Sequence, residues 1–223
     1  MSRFPVVTID GPAAAGKSTV ARRLAARLGY TYVNSGAIYR AVAWRVKGGA
    51  RLPDVLRTAR VEFRGDARGL RVLVDGADVT EALYTPEVSI LAASLSREPA
   101  VRAYADALQR AHAARGPVVV EGRDAGTVVF PDAECKFYLD ASLEARARRR
   151  LGELAAAGDA ADLDSIRAAM HARDEADQTR PVAPLARTGD AIYVESSELT
   201  VEQVVDRMAE EVERTCSTRS YSP

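Results

Sequence analysis

The stretch Gly11-Pro12-Ala13-Ala14-Ala15-Gly16-Lys17-Ser18 constrains this chain more than any other. It fits the pattern G-x-x-x-x-G-K-[ST] and stands between a strand-like run and a helix-like one. Phe4 to Ile9 is a short apolar run of the kind buried in parallel sheets. From Lys17 the period changes: Val20, Leu24 and Leu28 share one helical face, Arg22, Arg23 and Arg27 lie on the other side, and Gly29 follows as a stop. In that setting the glycines let the backbone curl so that successive N–H groups converge on a phosphate chain, and the helix adds its positive N-terminal end. Lys17 brings a charge to the β- and γ-phosphates, and Ser18 a hydroxyl for Mg²⁺. The expectation is a loop that binds a nucleoside triphosphate.

Strand and helix signals keep alternating downstream. Tyr30–Val33, Pro117–Glu121, Cys135–Leu139 and Ala191–Val194 are further strand candidates. Two helical stretches precede Pro117, with Pro99 suited to the first turn of the second and Gly116 to its end. Helices are expected from about Ser142 and Asp164, with the glycine-bearing stretch Gly152 to Asp162 between them. Another is expected from Thr200, where Thr200 and Gln203 have capping-box spacing. Residues 61–80 break the alternation. Val61-Glu62-Phe63, Leu70–Val74 and Ala77–Val79 are short strand-like pieces, and Asp75-Gly76 is a hairpin signal. The pattern predicts an α/β fold with a parallel sheet covered on both faces and a small antiparallel insertion.

Composition narrows the function. The 223 residues carry 31 Lys+Arg against 31 Asp+Glu, so no net charge favours a generic nucleic-acid coat. Apolar runs fall well short of the ~20 residues of a membrane span. The N-terminus reaches Asp10 too soon for a signal-peptide core, and Cys135 and Cys216 are the only cysteines. A cytoplasmic protein with no membrane or nucleic-acid partner is expected. Only three of the basic residues are lysines (Lys17, Lys47, Lys136), and none follows an asparagine, so the Asn-Lys-x-Asp element of a guanine site is missing. His112 and His171 stand alone in helical stretches, and no Cys/His cluster suggests zinc. A small kinase remains, and the question is what accepts the phosphoryl group.

Four clusters address it: Ser35-Gly36-Ala37-Ile38-Tyr39-Arg40; Glu121-Gly122-Arg123-Asp124-Ala125-Gly126-Thr127; Arg146, Arg149 and Arg150 at i, i+3, i+4; and Arg173-Asp174 through Arg180. The triphosphate loop preceded by Ile9-Asp10, Asn34 through Arg40, the run Glu121 to Pro131, and Arg173 to Arg180 followed by Ala183-Pro184-Leu185 together resemble the bacterial cytidylate kinases. The likeness runs from about residue 4 to residue 215, and the Gly-Arg-Asp stretch with its Gly-Thr-Val-Val-Phe-Pro continuation is its most specific part.

The resemblance implies ATP-dependent phosphorylation of CMP and dCMP, with Mg²⁺, by a monomer. It implies an ATP set of Gly11, Pro12, Ala13, Ala14, Ala15, Gly16, Lys17, Ser18 and Thr19, with Arg146, Arg149 and Arg150 from a mobile lid; a solvated basic helix face is the other reading of those arginines. Ser35, Arg40, Arg123 and Arg180 would grip the monophosphate, which suits a dianion met by guanidinium forks. Arg173 and Asp177 would hold the ribose, and Arg102 and Asp124 the base. A carboxylate accepts from the cytosine N4 amine, whereas uracil offers it an acceptor. The family's base-side serine aligns with Ala93, with Ser94 one place along, so Ser94 is the candidate there. Lys17, Arg123 and Arg180 are expected to surround the transferring phosphoryl group. One domain over 1–216 is expected, with a core of about 1–40, 85–150 and 164–216, an acceptor-side insertion of about 41–84, a lid of about 151–163 and a small polar, disordered tail, 217–223. Asp10 has two open roles: holding a Mg²⁺-bound water or satisfying loop amides. The alternatives are a kinase of another small acceptor such as UMP, and a nucleotide-binding module without turnover.

Overall fold

A computed structural model describes residues 4–66, 69–156 and 158–219. Its main sheet has five strands, β1 (Val6–Asp10), β2 (Thr31–Asn34), β6 (Val118–Glu121), β7 (Cys135–Asp140) and β8 (Ile192–Glu195). They run in the order β2-β6-β1-β7-β8, every pairing parallel. All five residues of β1 are buried, as an apolar run at the centre of a covered sheet should be. Helix α1 (Lys17–Leu28) lies against one face with α8 (Val201–Arg219), and Leu24, Phe137, Leu139 and Met208 fill the space between. Thr200 and Gln203 cap α8 reciprocally, at 2.9 and 3.2 Å, as their spacing predicts. The helix carries on through Ser217 to Arg219, while 220–223 lie outside the described residues.

The insertion is a three-stranded antiparallel sheet of β3 (Val61–Asp66), β4 (Gly69–Val74) and β5 (Ala77–Asp78). Asp75 and Gly76 both take positive φ (52° and 84°), the conformation an Asp-Gly two-residue hairpin turn requires. Two helices absent from the sequence reading precede it, α2 (Ser35–Lys47) and α3 (Leu52–Thr58). Helix α2 starts directly at the end of β2, because the Asn34 side chain accepts a hydrogen bond from Ala37 N. Helices α4 (Pro86–Leu95) and α5 (Pro99–Ala113) lead back to β6, each with proline in its first turn.

Helix α6 (Leu143–Ala156) runs straight through Gly152. Leu151 and Leu154 pack on Ala147, Ile166 and Met170 of the same cluster, and this burial outweighs the roughly 1 kcal/mol cost of an internal glycine. Helix α7 (Leu163–Thr179) follows, capped by Asp162. The carboxyl ends of β1, β2, β6 and β7, with the N-termini of α1 and α2, therefore meet at one edge of the sheet, where open α/β folds bind ligands.

Candidate active site

The loop between β1 and α1 has the shape its glycines allow. Gly11 passes so close to β7 that a Cβ there would come within 2.0 Å of the Leu139 carbonyl oxygen, and Gly16 caps α1 at a φ of 90°. Lys17 is buried, and its Nζ donates to the Pro12 carbonyl at 2.5 Å. Burial, then the Arg123 guanidinium, lowers its pKa against the opposing charges of Glu121 and Asp10. Ser18 is exposed in the first turn of α1, and Thr19 is half-buried beside it.

A buried ion pair shapes the loop from below. Asp174 of α7 accepts from Ala13 N at 3.1 Å, Arg146 of α6 donates to Ala13 O at 3.0 Å, and the two side chains meet at 2.5 Å. Both polar groups of Ala13 are thus fixed from outside the loop. Arg146, expected to reach the phosphates from a lid, lies 7% exposed under the loop's backbone, where it is also tied to Ala141 O. Arg149 donates to the carbonyl and hydroxyl of Ser196, at the end of β8. Arg150 is exposed and pairs with Glu153 on its own helix.

On the other side, Ser35 Oγ donates to Glu121 O at 2.7 Å across the β2–β6 edge. Arg123 Nε donates to Asp177 at 2.8 Å. Asp124 is buried between two guanidinium groups, Arg102 on one oxygen and Arg180, at 3.2 Å, on the other. Arg102 also lies over the Tyr39 ring, 5.9 Å from its centre, and Arg180 Nε donates to Ala183 O at 2.5 Å. Arg40 stacks over Tyr84 at 5.1 Å, and its buried Nε has no hydrogen-bond partner among the described residues; burial pulls its pKa down. Arg173 is exposed on α7, within electrostatic range of Arg123, Asp177, Arg40 and Asp174. Ser35, Arg40, Arg102, Arg123, Asp124, Arg173, Asp177 and Arg180 therefore gather at one edge of the sheet. Ser94 and Ala93 are both exposed on α4, and among the described residues no side-chain hydrogen bond joins Ser94 to Asp124 or Arg102.

Several members of the site carried no assignment in the sequence. Glu121 is buried and accepts from the Tyr32 hydroxyl at 2.5 Å, and Asn34 donates to that hydroxyl at 3.2 Å. Burial and the adjacent Glu121 carboxylate raise the Tyr32 pKa well above the phenol range, and the Ser18 hydroxyl also contacts it. The visible signal was a glutamate closing an otherwise all-valine strand, Val118-Val119-Val120-Glu121. The Asp10 carboxylate meets loop amides, accepting from Ala125 N at 2.9 Å and Gly126 N at 2.7 Å. Burial pushes its pKa up to about 6 against those two hydrogen bonds.

The family model for cytidylate kinase matches residues 7–214. The chain belongs to the cytidylate kinase family. Every site residue named above falls within the matched span. It is 48% identical over 213 residues to a cytidylate kinase of Pelotomaculum thermopropionicum, covering 92% of this chain and 94% of the relative. It is 44% identical to one of Geobacter sulfurreducens, covering 91% and 90%. Among solved structures, TT1252 from Thermus thermophilus (TM-score 0.52, 19% identity, covering 95% of this chain and 98% of that one) shares the fold. So does a gluconokinase from Sinorhizobium meliloti (0.52, 13%, covering 99% and 98%). No helix among the described residues is long and apolar enough to cross a membrane.

Proposed function

We propose that this enzyme transfers the γ-phosphoryl group of ATP to CMP and dCMP, with Lys17 on the donor side and Asp124 reading the base. The observation that carries this reading is the place of Asp124: a buried carboxylate at the carboxyl end of β6, one residue from Arg123, which is itself in electrostatic contact with Lys17. A carboxylate paired with Arg102 and Arg180 accepts from an exocyclic amine and repels an exocyclic oxygen.

In the reaction a phosphate oxygen of the acceptor forms a bond to the γ-phosphorus while the bond from that phosphorus to the β,γ-bridging oxygen breaks. ADP leaves and the acceptor becomes a diphosphate. The attacking oxygen is already anionic, so no general base is needed, in keeping with a site built without histidine. What remains is alignment and charge. Loop amides and Lys17 hold the donor phosphates; Ser35, Arg40, Arg123 and Arg180 hold the acceptor phosphate. Arg123 and Arg180 are paired with Asp177 and Asp124, so an arriving phosphate competes for the guanidinium groups. Asp177 and Asp124 are then released toward ribose and base, with Arg173 and Arg102 beside them. Segment 151–163 serves as the lid, and Arg146 and Arg149 act on ATP through the loop and the β8 edge they brace.

Mg²⁺ fits the donor set. The exposed Ser18 hydroxyl is a hard oxygen ligand at the helix N-terminus, and Mg²⁺ takes few protein ligands beside substrate phosphates and waters. No cluster of three acidic, His or Cys residues stands among the described residues. When bound beside Ser18 the ion would neutralise charge developing on the β- and γ-oxygens.

The test is ATP consumption with CMP, dCMP, UMP and AMP as separate acceptors. CMP and dCMP should be used far better than the others; UMP used as well as CMP would contradict the base assignment.

A further inference from the structure

We infer that Asp10 is a positioning residue that sets the acceptor-reading turn against the donor loop, so that one side chain aligns the two halves of the reaction. The inference rests on the reading of Asp124 and Arg123 given above. Asp10 ends β1, immediately before Gly11, so its backbone belongs to the start of the triphosphate loop. Its side chain serves the other loop. The amides it accepts from, Ala125 and Gly126, directly follow Asp124 and open a single wide π-type turn, Ala125–Val129. Within that turn the hydrogen bonds run back to the carbonyls of Asp124 and Ala125, from Val128, Val129 and Phe130. The first amides of any helical turn have no partner inside it, and here a carboxylate from 115 and 116 residues away takes both.

The fit has no slack. A Cβ on Gly126 would come within 2.7 Å of Thr8 Oγ1 and 3.4 Å of Asp10 Oδ2. One on Gly122 would come within 2.9 Å of Ser35 Oγ and 3.4 Å of Asp10 Oδ1. Two glycines on either side of Arg123-Asp124 therefore let the turn settle onto the Asp10 carboxylate. That carboxylate is 4% exposed and stands within the fields of Lys17 and Asp124. A buried anion is a costly way to terminate a strand, and burial does raise its pKa. Two fixed amide contacts are what it gains. With both made, the backbone from which Arg123 and Asp124 project cannot rotate without breaking charge-assisted hydrogen bonds.

The test compares wild type with Asp10→Asn, which keeps the volume but turns an NH₂ group toward one of the two amides. The KM for CMP should rise about tenfold, the effect of one lost buried hydrogen bond, and the preference for CMP over UMP should fall by a similar factor. Affinity for a non-hydrolysable ATP analogue should stay within about twofold, since the donor loop keeps its Arg146–Asp174 brace. Combined with Asp124→Ala, Asp10→Asn should produce no further loss of base preference, because it acts through that residue. Gly126→Ala, which forces the turn off the carboxylate, should reproduce the CMP defect and spare the analogue. It also serves if Asp10→Asn does not fold. Weakened ATP-analogue binding with CMP recognition intact would overturn the inference and return Asp10 to the donor side. Lowered stability with unchanged KM and base preference would overturn it as well. Failure of the CMP reading is seen separately, as a wild type that does not phosphorylate CMP. In that event hydrogen exchange still tests the strut, whose Ala125 and Gly126 amides should be protected in wild type and fast in Asp10→Asn; equal rates would overturn it.

Discussion

Lys17→Ala should lower kcat by about 10²–10³-fold at saturating ATP and CMP, the scale set by removing one fixed charge-stabilising group from a phosphoryl or acyl transfer site. The size of the effect follows from where the lysine sits. It is 6% exposed and its ammonium is anchored on the Pro12 carbonyl. Little water is left to screen it, so the charge acts at close to its full strength on the β- and γ-oxygens. The loop itself should keep its shape in the variant. Gly11 and Gly16 set the curl, and Ala13 is held by Asp174 and Arg146 independently of Lys17. CMP affinity should therefore change little, and the loss should fall on kcat. Steady-state rates with equilibrium binding of CMP check this; a kcat within threefold of wild type would remove Lys17 from the charge cage.

Asp124→Ala should reduce the kcat/KM preference for CMP over UMP by about 10–100-fold, the difference between a site built around a hydrogen bond and one that merely admits a pyrimidine. The same change leaves Arg102, 4% exposed, without its carboxylate. Stability should fall by about 3 kcal/mol, the range for breaking a buried ion pair from one side. Asp124→Asn separates the two effects. It keeps the volume and an acceptor oxygen for one of the two arginines, and its amide donates to the uracil carbonyl as readily as its oxygen accepts from cytosine. Preference should shift toward UMP with a smaller stability loss. Kinetics with each acceptor, and chemical unfolding of each variant, provide the comparison. Loss of ATP affinity with base preference unchanged would place Asp124 on the wrong substrate.

What could be read from the residues divides along a physical line. The strand, loop and helix around Gly11–Ser18, the Asp75-Gly76 hairpin and the Thr200/Gln203 cap are local, and each is written in a few consecutive residues. Helices α2 and α3 escaped because they are separated by the loop signals Gly48 and Gly49, and their apolar faces are matched by α4, α5 and the small sheet. Gly152 read as a loop signal, and only the packing of α6 on α7 overrides it.

The site shows the same division. The resemblance to the cytidylate kinases implied phosphate, ribose and base roles for Ser35, Arg40, Arg123, Asp124, Asp177 and Arg180. Their pairings did not. Arg123 meets Asp177 across 54 residues of chain, Arg146 meets Asp174 across 28, and Asp10 reaches Ala125 across 115. Such contacts depend on strand order, and nothing local in the sequence distinguishes β2-β6-β1-β7-β8 from other arrangements. The same fact explains why basic residues at i, i+3, i+4 on α6 suggested a phosphate-facing lid. The spacing is correct for one face, but Arg146 and Arg149 are turned onto Ala13 and Ser196, and Arg150 is exposed and pairs with Glu153.

A crystal structure with CMP bound tests the central claim most directly. It should place the Asp124 carboxylate within hydrogen-bonding distance of the cytosine N4 amine, with the phosphate between Arg123 and Arg180 and facing Lys17. A CMP whose base lies elsewhere, with Asp124 still spanning Arg102 and Arg180, would contradict it.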